Sequence, residues 1–297
     1  MLPFLGAVAT SPAHALGVTT SSDASALAGA ILGSGINIVG TPSYTGVAGQ
    51  SGTFTGGLAA GIGFDTGIVL TSGSALEVPG PNISDPETVG IPTLDNGNFT
   101  SVQLGTAGDT DLNNLVNNET FDAAVLEFDF QFGDGSTGGD LFFNFAFGSE
   151  EYVDFIDSEF NDVFGFFLDG VNIGVVPGTD TPVSVNTINN SVNADLYRNN
   201  VDNTDGIPNL GIDVSYDGLT TVLTAQATGL TAGTHRIKLA IADTSDAILD
   251  AGVFIQGGTF SSVPTPTPTV PVPPALWLFG SGLAGLYGAT RRKRAMS

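Results

Sequence analysis

Residues 124–147 read AVLEFDFQFGDGSTGGDLFFNFAF. The first nine alternate strictly. Leu126, Phe128, Phe130 and Phe132 share one side; Val125, Glu127, Asp129 and Gln131 share the other. Side chains of a strand point alternately to opposite faces, whereas on a helix they fan out by about 100° each, so this run is a half-buried strand. Asp140–Phe147 repeats the pattern with Leu141, Phe143, Phe145 and Phe147 inward. Phe143 and Phe145 are expected to meet Phe128 and Phe130 from a neighbouring strand. Asn144 then faces away, where a polar residue matters little if that face is solvated.

Working outward, further strands fall at Gly67–Ser72 (GIVLTS), Val163–Leu168 (VFGFFL) and Gly252–Phe260. Thr221–Ala227 and Thr234–Ala242 read as an antiparallel pair about the turn Thr228–Gly233. Gly, Asn, Asp, Ser and Thr interrupt the chain every eight to fifteen residues, the punctuation of a sandwich or barrel. Only Asp23–Leu32 (DASALAGAIL) reads as helix, stopped by Gly33 and Gly35. Thr41–Gly63 reads as a decorated surface segment, and 79–98 and 186–211 as long loops. There is no βαβ rhythm, no G-x-G-x-x-G and no P-loop. The fold class is all-β: an antiparallel β-sandwich, jelly-roll-like, over residues 16–262, with wet outer faces and 20 phenylalanines filling the space between the sheets. One short N-terminal helix and a C-terminal transmembrane helix complete it.

The chain carries 7 Lys plus Arg against 30 Asp plus Glu. Four of the bases are Arg291, Arg292, Lys293 and Arg294, and the tail holds no acid, so residues 1–263 keep three bases and a net charge of −27. Such a body is repelled by nucleic acid and anionic membranes and attracts divalent cations. The absence of cysteine excludes disulfides, Fe–S clusters and thiolate zinc sites. Of two histidines, His14 lies in the leader segment and His235 begins a strand in an inward set, as a core-edge residue rather than a triad member.

The ends read as export signals. Residues 1–15, MLPFLGAVATSPAHA, hold a short apolar core and the small-x-small site Ala13-His14-Ala15, so they form a signal peptide. Its charged n-region is missing, which fits a start downstream of the true one. Residues 263–274 form a Pro/Thr-rich spacer that adopts extended polyproline geometry. Residues 275–290, ALWLFGSGLAGLYGAT, are an uncharged apolar stretch slightly short of the ~20 residues of a full span. Residues 291–297 are a basic tail that stays cytoplasmic. This order resembles the PEP-CTERM sorting signal of Gram-negative bacteria. Pro271-Val272-Pro273 stands where that signal often has Pro-Glu-Pro, closer to a V-P-x-P variant, and Trp277 to Leu283 match its span. The resemblance implies a transient stay in the inner membrane, recognition by an exosortase, cleavage near the proline motif, and release to the cell surface or matrix.

The densest acidic stretch is Phe147–Leu168, FGSEEYVDFIDSEFNDVFGFFL, with Glu150, Glu151, Asp154, Asp157, Glu159 and Asp162 between two apolar strands. Asn161 and Asp162 open the second strand. A second group, Asp243, Asp246 and Asp250, lies in DTSDAILD. Hard cations take carboxylate, amide and carbonyl oxygens, so Glu150, Glu151, Asn161, Asp162, Asp243, Asp246 and Asp250 are candidate Ca²⁺ ligands. The alternative is an ordinary solvated acidic loop with Asp-capped turns. Residues 202–206 (DNTDG) resemble a calcium turn, in a chain rich enough in Asn and Asp to produce one by chance.

The same residues resemble the bacterial choice-of-anchor L domain. Its F-G-S-E-E-Y run is Phe147–Tyr152, its F-N-D-x-F-G-F-F-L run is Phe160–Leu168, and its acidic A-D…G-V-F segment is Ala242–Phe254; GIVLTSG and GDTDLNNL upstream also fit. The resemblance implies a β-rich surface domain found with different anchoring tails, without a firmly attached activity. The expected role is therefore a non-catalytic surface or matrix protein whose partners are exopolysaccharide, other surface proteins or itself. The alternative is a calcium-dependent glycan-processing enzyme using Glu150 with Asp157 or Asp250, since glycoside hydrolysis needs two flanking carboxylates. Adjacent Glu150 and Glu151, on opposite sides of a strand, make no natural pair.

Overall fold

The computed structural model describes residues 16–82, 100–201 and 207–267. The signal peptide, most of the first long loop, the DNTDG turn and the chain from residue 268 onward, including the apolar stretch and basic tail, lie outside them. In chain order the elements are β1 (Gly17–Thr20), α1 (Ala24–Ile31), β2 (Ile36–Thr45), β3 (Ser51–Thr55), α2 (Gly57–Ala60) and β4 (Gly67–Thr71). Then follow α3 (Thr110–Val116), β5 (Thr120–Phe132), β6 (Gly139–Ser149), β7 (Val163–Leu168) and β8 (Val171–Asn172). The series ends with β9 (Tyr197–Asn199), β10 (Gly218–Thr220), β11 (Leu223–Leu230), β12 (His235–Thr244) and β13 (Ala251–Gln256).

These strands make two antiparallel sheets. The larger runs β1-β3-β4-β13-β6-β10-β9, with β11 also paired to β6; the smaller runs β2-β5-β12-β7-β8. The division is eight and five, not the eight strands of a jelly roll. Phenylalanines fill the space between the sheets as their alternation requires. Phe143 and Phe145 of β6 each lie 5.0 Å from Phe166 of β7, ring centroid to centroid, and Phe147 lies 5.1 Å from Phe164. Phe260 closes the gap at the other end, 5.2 Å from Phe128, 5.1 Å from Phe130 and 5.4 Å from Phe143. Such tilted and edge-on pairs add to the burial of apolar area.

Two pairings and the burial of the outer faces differ from the sequence reading. β5 and β6 are not neighbours. They belong to opposite sheets, so Phe128 and Phe130 face Phe143 and Phe145 across the core rather than along one sheet. β11 and β12 are not a hairpin either: β11 pairs with β6, whereas β12 sits between β5 and β7. Burial explains the choice. β12 is buried on both faces from Leu239 to Thr244 and suits the centre of a sheet, while the exposed outer face of β11 suits an edge. Finally, the outer faces are not simply wet. Phe54, Phe64, Val69, Ala146, Tyr216 and Phe254 form a second apolar layer behind the larger sheet. Leu112 of α3 packs with Val125, Phe167 and Ala240 behind the smaller one.

Asn144 consequently is fully buried. Its amide donates to Gln256 Oε1 at 3.0 Å and to the Thr265 carbonyl at 3.2 Å, and its Oδ1 accepts from Thr224 Oγ1 at 2.8 Å. The 41–63 stretch, expected on the surface, supplies half of β2, all of β3 and α2, and buries Gln50, Phe54 and Ile62. Its glycines and threonines are β3's contribution to a tight sheet: a Cβ at Gly52 would fall 2.4 Å from the Thr19 carbonyl oxygen of β1. The expected helix forms one residue inside its reading at each end, with Asp23 as its N-cap accepting from Ser25 and Ala26 amides. α3 was not foreseen, although Asp109 caps it in the same way. The expected strand 252–260 begins at Ala251 and ends at Gln256. Among the described residues no helix is long and apolar enough to cross a membrane.

Candidate functional site

The inward rows of the sandwich are apolar along most of their length and acidic at one end. On β12 the row Ile237, Leu239, Ile241 ends in Asp243; on β5 the row Phe128, Leu126, Ala124 ends in Asp122; on β6 the row of phenylalanines ends in Ser149. Asp162 immediately precedes β7, and Asp250 immediately precedes β13. The ends of these strands, with an irregularity in the β5–β12 pairing between Ala124 and Phe121, bring four aspartates from distant parts of the chain to one end of the core. Glu150 and Glu151 follow β6 directly. They lie in a turn past the strand end, not on opposite faces of a strand, and both are buried.

Backbone and hydroxyl donors hold this set in place. Glu150 accepts from the Thr100 amide at 3.0 Å, and Glu151 accepts from the Asp162 amide at 3.0 Å. Asp162 accepts from Ser149 Oγ at 3.4 Å and from the Thr244 amide at 3.2 Å. Asp250 accepts from Thr100 Oγ1 at 2.5 Å and from the Val102 amide at 3.0 Å. Gly73 lets the backbone lie directly on Asp250, where a Cβ would come within 1.7 Å of Oδ2. Asp122 accepts from the Leu104 and Thr106 amides. Asp243 is the exception. It is fully buried, and neither of its oxygens has a hydrogen-bond partner. The nearby Ser72 hydroxyl counters its rise in part, although here its Oγ accepts from the Ala251 amide at 2.9 Å and donates to the Ala251 carbonyl at 3.4 Å.

Burial pushes Glu150, Glu151, Asp162, Asp243 and Asp250 toward their neutral forms, since a charge removed from water is disfavoured. Glu150 is held well above the usual carboxylate range, by desolvation first and the Asp217 charge second. Desolvation, reinforced by Asp243 and Asp246, lifts Glu151 to about 9. It also raises Asp162, with Glu151 beside it, and Asp243, with Asp162 and Asp250 beside it, well above the ordinary value. Asp250 is raised to about 7. Asp246, half-buried at the rim, is raised by desolvation too, and its Oδ1 accepts from the Ile248 amide.

Of the seven sequence-predicted ligands, Glu150, Glu151, Asp162, Asp243 and Asp250 converge on this end of the core. Asp246 stands at its edge. Asn161 is turned to the 186 loop, accepting from the Asn186 amide at 3.0 Å. Asp154, Asp157 and Glu159 are exposed, as a solvated acidic loop would have them. Asp122 and Thr100 were missed: Asp122 precedes the alternating run that begins at Ala124, and Thr100 approaches only through the fold. Among the described residues no three His, Asp or Glu side chains stand at the spacing of a ready-made metal centre. An open cleft of about 460 Å³, lined by Thr106, Asn113, Glu119, Thr120, Asp122 and Ala247, reaches the cluster's edge. His235 sits at the opposite end of β12, its Nδ1 2.7 Å from Asp169 Oδ2 and its Nε2 2.9 Å from the Thr231 carbonyl.

A two-sheet antiparallel body with buried acids at one end and a helix-poor outline defines the class of β-rich domain to which the sequence motifs pointed. The chain belongs to the choice-of-anchor L domain family, whose model matches residues 18–261. That span takes in every element described above except the first residue of β1. Membership points to a cell-surface protein. No match was found among curated proteins or among solved structures.

Proposed function

We propose that this chain is a non-catalytic surface or extracellular-matrix domain, exported through its N-terminal leader and sorted by an exosortase acting on the tail around Pro271-Val272-Pro273. The observation that supports this best is the junction of a surface-family domain ending at residue 261 with a proline spacer, an apolar stretch holding Trp277, and the Arg291, Arg292, Lys293, Arg294 cluster. A short apolar stretch stopped by bases halts in a membrane, and a spacer of prolines keeps the folded body away from it. In the matrix its partners are exopolysaccharide or other surface proteins. Mass spectrometry of surface material from the native host is expected to give C-terminal peptides ending near the proline motif. Recovery of intact peptides containing Trp277 from the released protein would overturn the sorting step.

The glycan-processing reading draws on Glu150, whose raised pKa is the property a general acid needs. Yet Glu150 is only 4% exposed and accepts a backbone hydrogen bond, which favours a structural carboxyl over one meeting a sugar. Polysaccharide turnover abolished by Glu150→Gln would reverse that preference; binding without turnover supports the non-catalytic reading.

A further inference from the structure

The acidic end of the core has no base to balance it. Arg198 donates to the carbonyls of Thr220, Gly61 and Ile62. Arg236 pairs with Asp129 and Glu127, Lys238 with Asp109 and Asp111, and His235 with Asp169. These are the only four basic side chains of the body between the leader and the tail. Buried carboxylates without a cation must be protonated or neutralised from outside.

We propose that this end of the sandwich binds one Ca²⁺ ion, held by Asp243 and Asp162 and completed by Glu151 and Asp250. The inference goes beyond the sorting and matrix role and does not depend on it. Asp243 carries it. It is fully buried, and neither of its oxygens has a hydrogen-bond partner. With the basic side chains of the body engaged elsewhere, a cation taken from solvent can satisfy both oxygens at once. The neighbours that act on Asp243 most strongly are Asp162 and then Asp250, so its side chain is directed into the acidic set. The donors are all oxygen, with no imidazole or thiolate, which selects a hard ion. The carboxylates are not at ready-made metal spacing, so the ion must gather them. Calcium accepts six to eight oxygens in flexible geometry, whereas magnesium demands a near-ideal octahedron and keeps its waters.

The test is equilibrium dialysis of the full chain, stripped with chelator, against CaCl₂ in physiological NaCl, with circular dichroism to check folding. One Ca²⁺ per chain is expected, with a thermal midpoint several degrees higher than in NaCl of equal ionic strength. MgCl₂ should reproduce little of that shift. Asp243→Asn should weaken calcium binding at least tenfold, and the exposed Asp154→Asn should leave it unchanged. The wild-type titration decides whether a site exists. If Asp243→Asn does not fold, Glu151→Gln locates the site in its place. No stoichiometric ion, several weak ions lost on adding NaCl, or equal affinity in the cluster variants and wild type would each overturn the proposal and leave the carboxyls neutralised by protons.

Discussion

His235 and Asp169 show how one pair sets a pH window at the residue scale. Burial pulls the imidazole down, but its bonds to Asp169 and to the Thr231 carbonyl outweigh burial, and its pKa stands above the ordinary 6.5. Burial pushes Asp169 up, but the Arg236 amide and His235 outweigh it, and its pKa stands below the ordinary 3.8. A raised His contributes stability that is complete below its unfolded pKa and is lost as pH rises through the folded one. A lowered Asp contributes stability that is complete above its unfolded pKa and is lost as pH falls through the folded one. The pair is therefore fully effective between about pH 4 and 6.5. Asp169 is 48% exposed, so the worth is about 0.5–1 kcal/mol after screening. Urea titrations of wild type and Asp169→Asn should differ most near pH 5 and differ less by pH 8, where the ion pair is lost but the bond from the Arg236 amide remains. A gap of constant size at both pH values would mean that the ion pair contributes nothing.

At the element scale β6 is the most exacting strand, because both of its faces meet apolar layers. Phe143 is fully buried between Phe166 and Phe260, while its neighbour Phe142 is only half-buried on the outer side. Phe143→Ala should cost about 3–5 kcal/mol, and Phe142→Ala clearly less. Equal costs in chemical denaturation would contradict the pleat. Asn144→Ser should also be costly, about 1–3 kcal/mol, since it strips three hydrogen-bonding contacts from a fully buried site. The alternation of β5 and β6 was legible because period two leaves a plain trace in Phe and polar spacing. Which sheet each strand joins was not. Alternation records that a face is buried, not what buries it, so the β11–β12 break and the cover over Asn144 emerge only in three dimensions. The acidic site was half legible for the same reason. Glu150, Glu151, Asp162, Asp243 and Asp250 stand out as clustered acids, but nothing in their spacing separates them from exposed Asp154 and Glu159. That separation comes from the ends of inward strand rows.

For the whole molecule, the position at which the body ends decides what the proposed sorting step could remove. After β13 the chain does not leave the domain. Phe260 inserts among Phe128, Phe130 and Phe143, its amide donates to the Ile31 carbonyl, and its own carbonyl accepts from the Gly33 amide. Ser261 exchanges backbone hydrogen bonds with Phe142, Ser262 donates to the Ser34 carbonyl, and the Thr265 carbonyl accepts from Asn144. Residues 257–265 thus tie α1 to both sheets, and the body needs them. Cleavage at the proline motif, Pro271 to Pro273, falls beyond the last of these contacts. A chain ending at Thr267 should therefore unfold within about 0.5 kcal/mol of the full-length protein, the range of changes that touch no core feature. A chain ending at Gln256 loses the buried Phe260 ring and should be destabilised by at least about 3–5 kcal/mol. Thermal and urea unfolding of the two truncations measure the contrast. If the Thr267 form were as damaged as the Gln256 form, the tail would belong to the folded body, and its removal on sorting would be incompatible with a stable released domain.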